Sequence, residues 1–197
     1  MDNVKEKIAI ASDHAGFQLK EKIKLNLEEY GYGVLDLGTN SEEAVDYPDY
    51  GKALAQNILK GKVKKGIALC GTGIGISIAA NRFAGIRAAL CSNQEMAIQA
   101  RKHNNANIIA LGARSIDFQC ANKCIDAFLN TEFEGERHIN RLEKIEKKID
   151  QAVVTIRRDI KVLDIKVDNV ISQIEFMRRE MEEHSEELNV IKSGLQS

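Results

Sequence analysis

The sequence predicts an α/β fold: a three-layer α/β/α domain around a five-stranded parallel sheet, followed by a long C-terminal helix. Three observations carry this. Short apolar runs alternate with longer amphipathic stretches over the first 130 residues, the rhythm of βαβ units. The apolar runs are continuous rather than alternating, as in strands covered on both faces. From about residue 140 glycine is absent until Gly194, and apolar residues recur at steps of three and four.

The elements follow in order. "KIAIAS" (7–12) reads as the first strand and 16–30 as the first helix. "GVLDLG" (33–38) is the second strand, with a helix over 49–60. The single proline, Pro48, stands just before that helix, where a missing N–H costs little. "GIALC" (66–70) is the third strand, followed by a small-residue helix over 74–83. "IRAALC" (86–91) and "NIIALG" (107–112) are the fourth and fifth, with helices over 93–102 and 115–130. This alternation is Rossmann-like.

The tail keeps its three-four spacing from Val153 to residue 195, about six heptads of coiled-coil pattern. Val153, Ile160, Val167 and Ile174 take the a positions, and Ile156, Leu163, Val170 and Met177 the d positions. A lone helix cannot bury such a stripe, so a partner helix is expected. In a parallel pair Asp159 would face Asp164, so the sequence assigns neither orientation nor strand number. His184 occupies a d position as a register device, a pH-sensitive weak point, or a tolerated polar residue near a fraying end. The expected domains are 1–147 and a helical extension over 148–197.

Composition excludes several classes. The 197 residues carry 28 basic and 29 acidic side chains, a net charge of −1. That balance argues against general nucleic-acid or membrane-surface binding. No apolar run approaches the roughly 20 residues of a membrane span, and the first residues lack the apolar core of a signal peptide. A cytoplasmic protein with reduced cysteines is expected. Cys120 and Cys124 lie four apart on one helix face, with no further ligand spaced to complete a metal site. They are expected to fill the core.

In parallel sheets ligands gather at the carboxyl ends of the strands. There the sequence places "SDHAG", "CGTGIG", "CSNQE" and "GARS". The glycine loop is neither the dinucleotide G-x-G-x-x-G nor a P-loop, which would need Lys-Ser/Thr. It does offer bare N–H groups at a helix start, suited to a standing or transient anion. Cys70 stands at its mouth, where a thiol is readily ionised; a buried structural cysteine fits the same position. Asp13 and His14 close the first strand. They can bind hydroxyls and shuttle protons, or Asp13 can serve only as a helix cap. Arg137 and Arg141, four apart, form a phosphate clamp or a solvated basic patch.

"SDHAGF", "DYPDY", "CGTGIGISIAANRFAGIRAA", "KHNNANIIALGAR" and "FEGERHINR", in that order over roughly residues 6–147, resemble the ribose-5-phosphate isomerase type B family, which includes the galactose-6-phosphate isomerase subunits. The resemblance implies aldose–ketose isomerisation of a phosphorylated sugar with no metal or organic cofactor. It implies Cys70 as the base moving a proton between C2 and C1. The N–H groups of Gly71, Thr72, Gly73, Ile74 and Gly75 would hold the enediolate, with Thr72 assisting. His103 would help open the sugar ring, and Asp13 and Asn104 would contact its hydroxyls. His14, Arg114, Arg137 and Arg141 would bind the phosphate, with Tyr47 lining the site. A homodimer with a shared site is implied, often paired into a homotetramer. The chain departs from the family at Glu136, where a second glycine is common; the carboxylate either weakens phosphate affinity or points to solvent, and the second is expected.

The leading expectation is interconversion of ribose 5-phosphate and ribulose 5-phosphate. A six-carbon substrate, such as allose or galactose 6-phosphate, is the second. A scaffold built on an isomerase body, recruiting partners through the tail, is the third.

Overall fold

Five strands build one sheet: β1 (Lys5–Ser12), β2 (Tyr32–Asp36), β3 (Lys65–Cys70), β4 (Ala88–Leu90) and β5 (Ile108–Gly112). Their order is β2-β1-β3-β5-β4, and every neighbouring pair is parallel. The helices are α1 (Phe17–Glu29), α2 (Tyr47–Leu59), α3 (Ile74–Ala80), α4 (Gln94–Asn104), α5 (Phe118–Asn130) and α6 (Ile139–Gly194). This computed structural model describes the backbone of residues 5–194 and the side chains of 5–146, 154–182, 184 and 185. Val153 and the heptad positions 188, 191 and 195 lie outside the described side chains.

The pleat sorts the central strands by size. Ile8, Ile10, Ile67, Leu69, Ile109 and Leu111 point to one face and pack with Ile23 and Leu27 of α1, Ala97 of α4 and Phe128 of α5. Ala9, Ala11, Ala68, Cys70 and Ala110 point to the other, against Leu54 of α2 and Ile76 of α3. Period-two side chains make this separation automatic. Because the second face is lined mostly by alanines, α3 and the loop before it sit close on the sheet. Cys70 belongs to this shallow face.

Several boundaries differ from the sequence reading, each for a local reason. Pro48 lies inside the first turn of α2, behind Asp46 as N-cap; its absent N–H is one the first turn leaves unpaired anyway. β4 begins at Ala88 rather than 86, because the Asn107 side chain accepts the Arg87 N–H at 2.8 Å. α3 stops at Ala80, where Asn81 turns its amide to both the N–H and the carbonyl of Ala88 at 2.8 Å.

The sheet order places a topological switch between β1 and β3. The chain leaves β1 towards β2 on one side, and β3 lies on the other. The Asp13 N–H, just past β1, donates to the Leu69 carbonyl at 3.3 Å. This is the crevice where α/β sheets take ligands. Chain contacts divide the molecule into two units, Met1–Glu146 and Lys147–Ser197. No helix among the described residues is long and apolar enough to cross a membrane.

Candidate active site

At the switch point the glycine loop is shaped by three close approaches. Gly73 has φ +76°, and a Cβ there would stand 2.6 Å from Leu90 Cδ1 and 2.9 Å from the Leu111 carbonyl carbon. Only glycine fits both the conformation and the space. A Cβ on Gly75 would enter the Tyr47 ring at 2.6 Å, so that ring lies directly on the loop. Arg114 donates its N–H to the Gly71 carbonyl at 3.0 Å, and its guanidinium covers Gly71. The loop is thus clamped between the starts of α2 and the β5–α5 turn.

Cys70 is buried at the end of β3, and its Sγ accepts the Gly73 N–H at 3.1 Å. The other two buried cysteines lie deep in the opposite core layer. Burial pushes the Cys91 thiol up to about 11. Burial, with Cys120 adding to it, pushes Cys124 to about 12. Those two are inert core residues, in keeping with the expectation for Cys124. Beside Cys70, the buried carboxylate of Asp13 accepts the Gly16 N–H at 3.1 Å. His14 Nδ1 lies 3.1 Å from the backbone of Val45. Thr72 Oγ1 accepts the Ile74 N–H at 3.3 Å. Asp13, His14, Tyr47, Cys70, Gly71–Gly75 and Arg114 therefore share one end of the sheet.

His103, Asn104, Arg137 and Arg141 do not join them within this chain. His103 and Asn104 end α4, immediately before β5. They stand at the amino ends of the strands, where Gly66 pairs with Ile108; Cys70 pairs with Gly112 at the other end. Four residues of strand, about 13 Å, separate the two levels. The carboxyl strand ends alone therefore account for all of the expected set but these four residues.

This second cluster has its own order. The His103 and His138 rings stack with centroids 4.4 Å apart and planes 10° apart. Glu134 Oε2 lies 3.7 Å from His103 Nε2 and 4.0 Å from His138 Nε2. Arg137 Nε donates to His138 Nε2 at 3.3 Å. Desolvation first, then the nearby His103, Arg137 and Arg141, holds the His138 imidazole below its ordinary value, so it stays neutral and can accept that bond. Glu134 and His138 were not among the expected site residues. Thirty-odd positions of sequence hide their meeting with His103, and no spacing rule reveals it. His103, Glu134 and His138 also offer three ligand-type atoms within 4.8 Å of one another. Lys102 reaches Glu134 Oε1 at 3.3 Å, so the group is flanked by positive charge that opposes a cation.

Glu136 has φ +47°, just after Gly135 at +72°, and its side chain is exposed. The carboxylate faces solvent, as expected. The left-handed backbone is where glycine rests without strain.

The profile of the Ribose/Galactose Isomerase family matches residues 8–145. The chain belongs to that family. Similar members include ribose-5-phosphate isomerase B of Escherichia coli, 47% identical over 140 residues covering 71% of this chain and 94% of that one. A putative sugar phosphate isomerase of Rickettsia conorii is 50% identical over 138 residues, covering 70% and 96%. Among solved structures, the Thermotoga maritima ribose 5-phosphate isomerase superposes with a TM-score of 0.71 at 56% identity, covering 72% of this chain and 98% of that one. The Mycoplasma genitalium ribose-5-phosphate isomerase B, solved with bound ribulose 5-phosphate, gives 0.70 at 39%, covering 73% and 96%. The family's five-stranded parallel α/β sheet is the one seen here. The family match stops at 145, short of most of α6.

Proposed function

We propose that this chain is an aldose–ketose isomerase that interconverts ribose 5-phosphate and ribulose 5-phosphate. The observation that carries the reading is the Cys70 thiol, seated on the Gly73 N–H at the mouth of the glycine loop. With the open-chain aldose bound there, the Cys70 thiolate removes the proton from C2. The electron pair moves to the C1–C2 bond, and the aldehyde oxygen becomes the enediolate oxygen. The N–H groups of Gly71 to Gly75 stabilise that charge, with Thr72 beside them. The same proton returns from sulfur to C1, the O2 hydroxyl loses its proton to O1, and the ketose results. No electron leaves the substrate, so no oxidant or organic cofactor enters the balance.

The split of the expected residues supports a site shared between two copies in a homodimer. One copy supplies Asp13, His14, Tyr47, Cys70 and Arg114. A second supplies His103 for ring opening, Asn104 for a hydroxyl, and Arg137 and Arg141 for the phosphate. A single permanent dianion is then held between cationic groups of both chains. The glycine loop serves the transient charge.

The test is Cys70→Ala assayed on ribose 5-phosphate. Loss of the base should lower kcat by roughly 10²–10⁴-fold. Near-normal turnover would remove Cys70 from the reaction. Parallel measurement of kcat/KM on allose and galactose 6-phosphates sets the five-carbon preference against the six-carbon one.

A further inference from the structure

Helix α6 carries an unpartnered apolar stripe. Ile156, Ile160, Leu163, Val167, Val170, Ile174, Met177 and Met181 are each between 52% and 72% exposed. Side chains of this kind are not left open to water along one face without a partner. The flanking charges decide what covers it. In a parallel, in-register pair, e and g positions meet five residues apart. Asp159 then opposes Asp164, Lys166 meets Ile171, Gln173 meets Arg178 and Glu180 meets Ser185. Among the described residues that arrangement holds one like-charge contact on each side and no opposite one.

Antiparallel pairing behaves differently, because e then faces e and g faces g. Consider the register whose two-fold axis passes at Ser172. Leu163 packs with Met181 of the second copy, Val167 with Met177, and Val170 with Ile174. Asp164 faces Arg178, and Lys166 faces Glu180, each contact made twice. Ile171 meets its own counterpart beside the axis. All four charged positions are exposed and open to such contacts. Asp159 pairs in sequence with Glu187, a like-charge match set against the two opposite ones; that side chain lies outside the described ones. Sliding by one heptad towards the N-terminus puts Arg157 on Arg178 and Asp159 on Glu180, both repulsive. Sliding the other way leaves no opposite pair among the described residues. In the Ser172 register His184 lies at each end of the described core, against Ile160, where a polar ring costs least. Its Nδ1 already lies 2.8 Å from the Glu180 carbonyl.

We propose that α6 is an interface for a second copy of this chain, paired antiparallel about Ser172. The contact is isologous and self-closing, so it joins two chains and no more. It does not depend on the isomerase reading.

The test uses the full chain with single cysteines added on α6 and a short bismaleimide, the unmodified chain correcting for native thiols. Ile171→Cys should cross-link to itself. Ile156→Cys should not, because the two copies of residue 156 stand roughly 48 Å apart, 16 residues on either side of the axis at about 1.5 Å each. Cross-linking of Ile156→Cys, or none at Ile171→Cys, overturns the proposal. A charge series guards against a misfolded cysteine variant. Asp164→Arg places two arginine pairs in contact and should weaken cross-linking at residue 171 on the order of tenfold. Adding Arg178→Asp should restore it. A parallel pair gives the opposite sign, since Asp164→Arg would then meet Asp159 and strengthen association; that result also overturns the proposal.

Discussion

The two ends of the sheet are built by different means. At the carboxyl end, backbone does most of the shaping: Gly73 in a left-handed turn, Tyr47 laid on Gly75, Arg114 on Gly71, and an N–H aimed at Cys70 Sγ. At the amino end, side chains do it: His103 stacked on His138, with Glu134 and Arg137 at their edges. The first arrangement is packed against the core and leaves no room for a Cβ at Gly73 or Gly75. The second is partly open, with Arg137, Arg141 and Asn104 exposed. Under the proposed function, an anion hole needs fixed dipoles, and groups meant for a second copy must stay reachable. Within one chain the expected residues thus fall into two separate groups, one at each end of the sheet, and the proposed homodimer is what would bring them together.

The largest effect expected from that comparison comes from mixing variants. Cys70→Ala damages one half-site and His103→Ala the other. Each alone should be nearly inactive. Co-expressed and randomly paired in equal amounts, they should recover about a quarter of wild-type activity, since half of the dimers then hold one intact site of two. A mixture as inactive as its components breaks the shared-site reading.

Next comes the rigid end. Gly73→Ala forces a left-handed alanine into Leu90 and Leu111. It should cost roughly 3 kcal/mol in denaturant unfolding, combining backbone strain with overpacking. An unchanged midpoint would show that the loop can relax, and the contrast between the two ends would weaken.

The smallest effect lies at the other end. Glu136→Gly relieves the φ of +47° and should raise stability by about 1 kcal/mol, read as a shift of the unfolding midpoint. A loss of stability instead would mean that Glu136 makes a favourable contact that outweighs its backbone strain.

Much of this was legible in the sequence. Strand and helix order, the parallel sheet, the glycine loop with its thiol, and the approach of Asp13 and His14 all follow from local pattern and the carboxyl-end rule. What was hidden involves pairs of residues far apart in the chain. Lys20 reads as a surface residue of an amphipathic helix, yet it is almost fully buried, its amine 2.6 Å from both Glu21 and Asp36. Burial works to raise the Asp36 carboxyl, but hydrogen bonds from Lys20, the Gly38 N–H and Lys24 outweigh it and hold it below its ordinary value. The His103–His138 stack was hidden for the same reason.

The sequence by itself determined the periodicities, and with them the layers, the membership of each face and the heptad stripe of α6. It also determined which residue types were at hand for chemistry. Tertiary structure alone decided which of them meet. A parallel strand separates its two ends by its own length, so residues adjacent to one strand in sequence, such as Asn104 and Arg114 around β5, face opposite ends of the sheet. That separation, fixed by the rise of an extended chain, is why Cys70 and His103 do not meet within one copy.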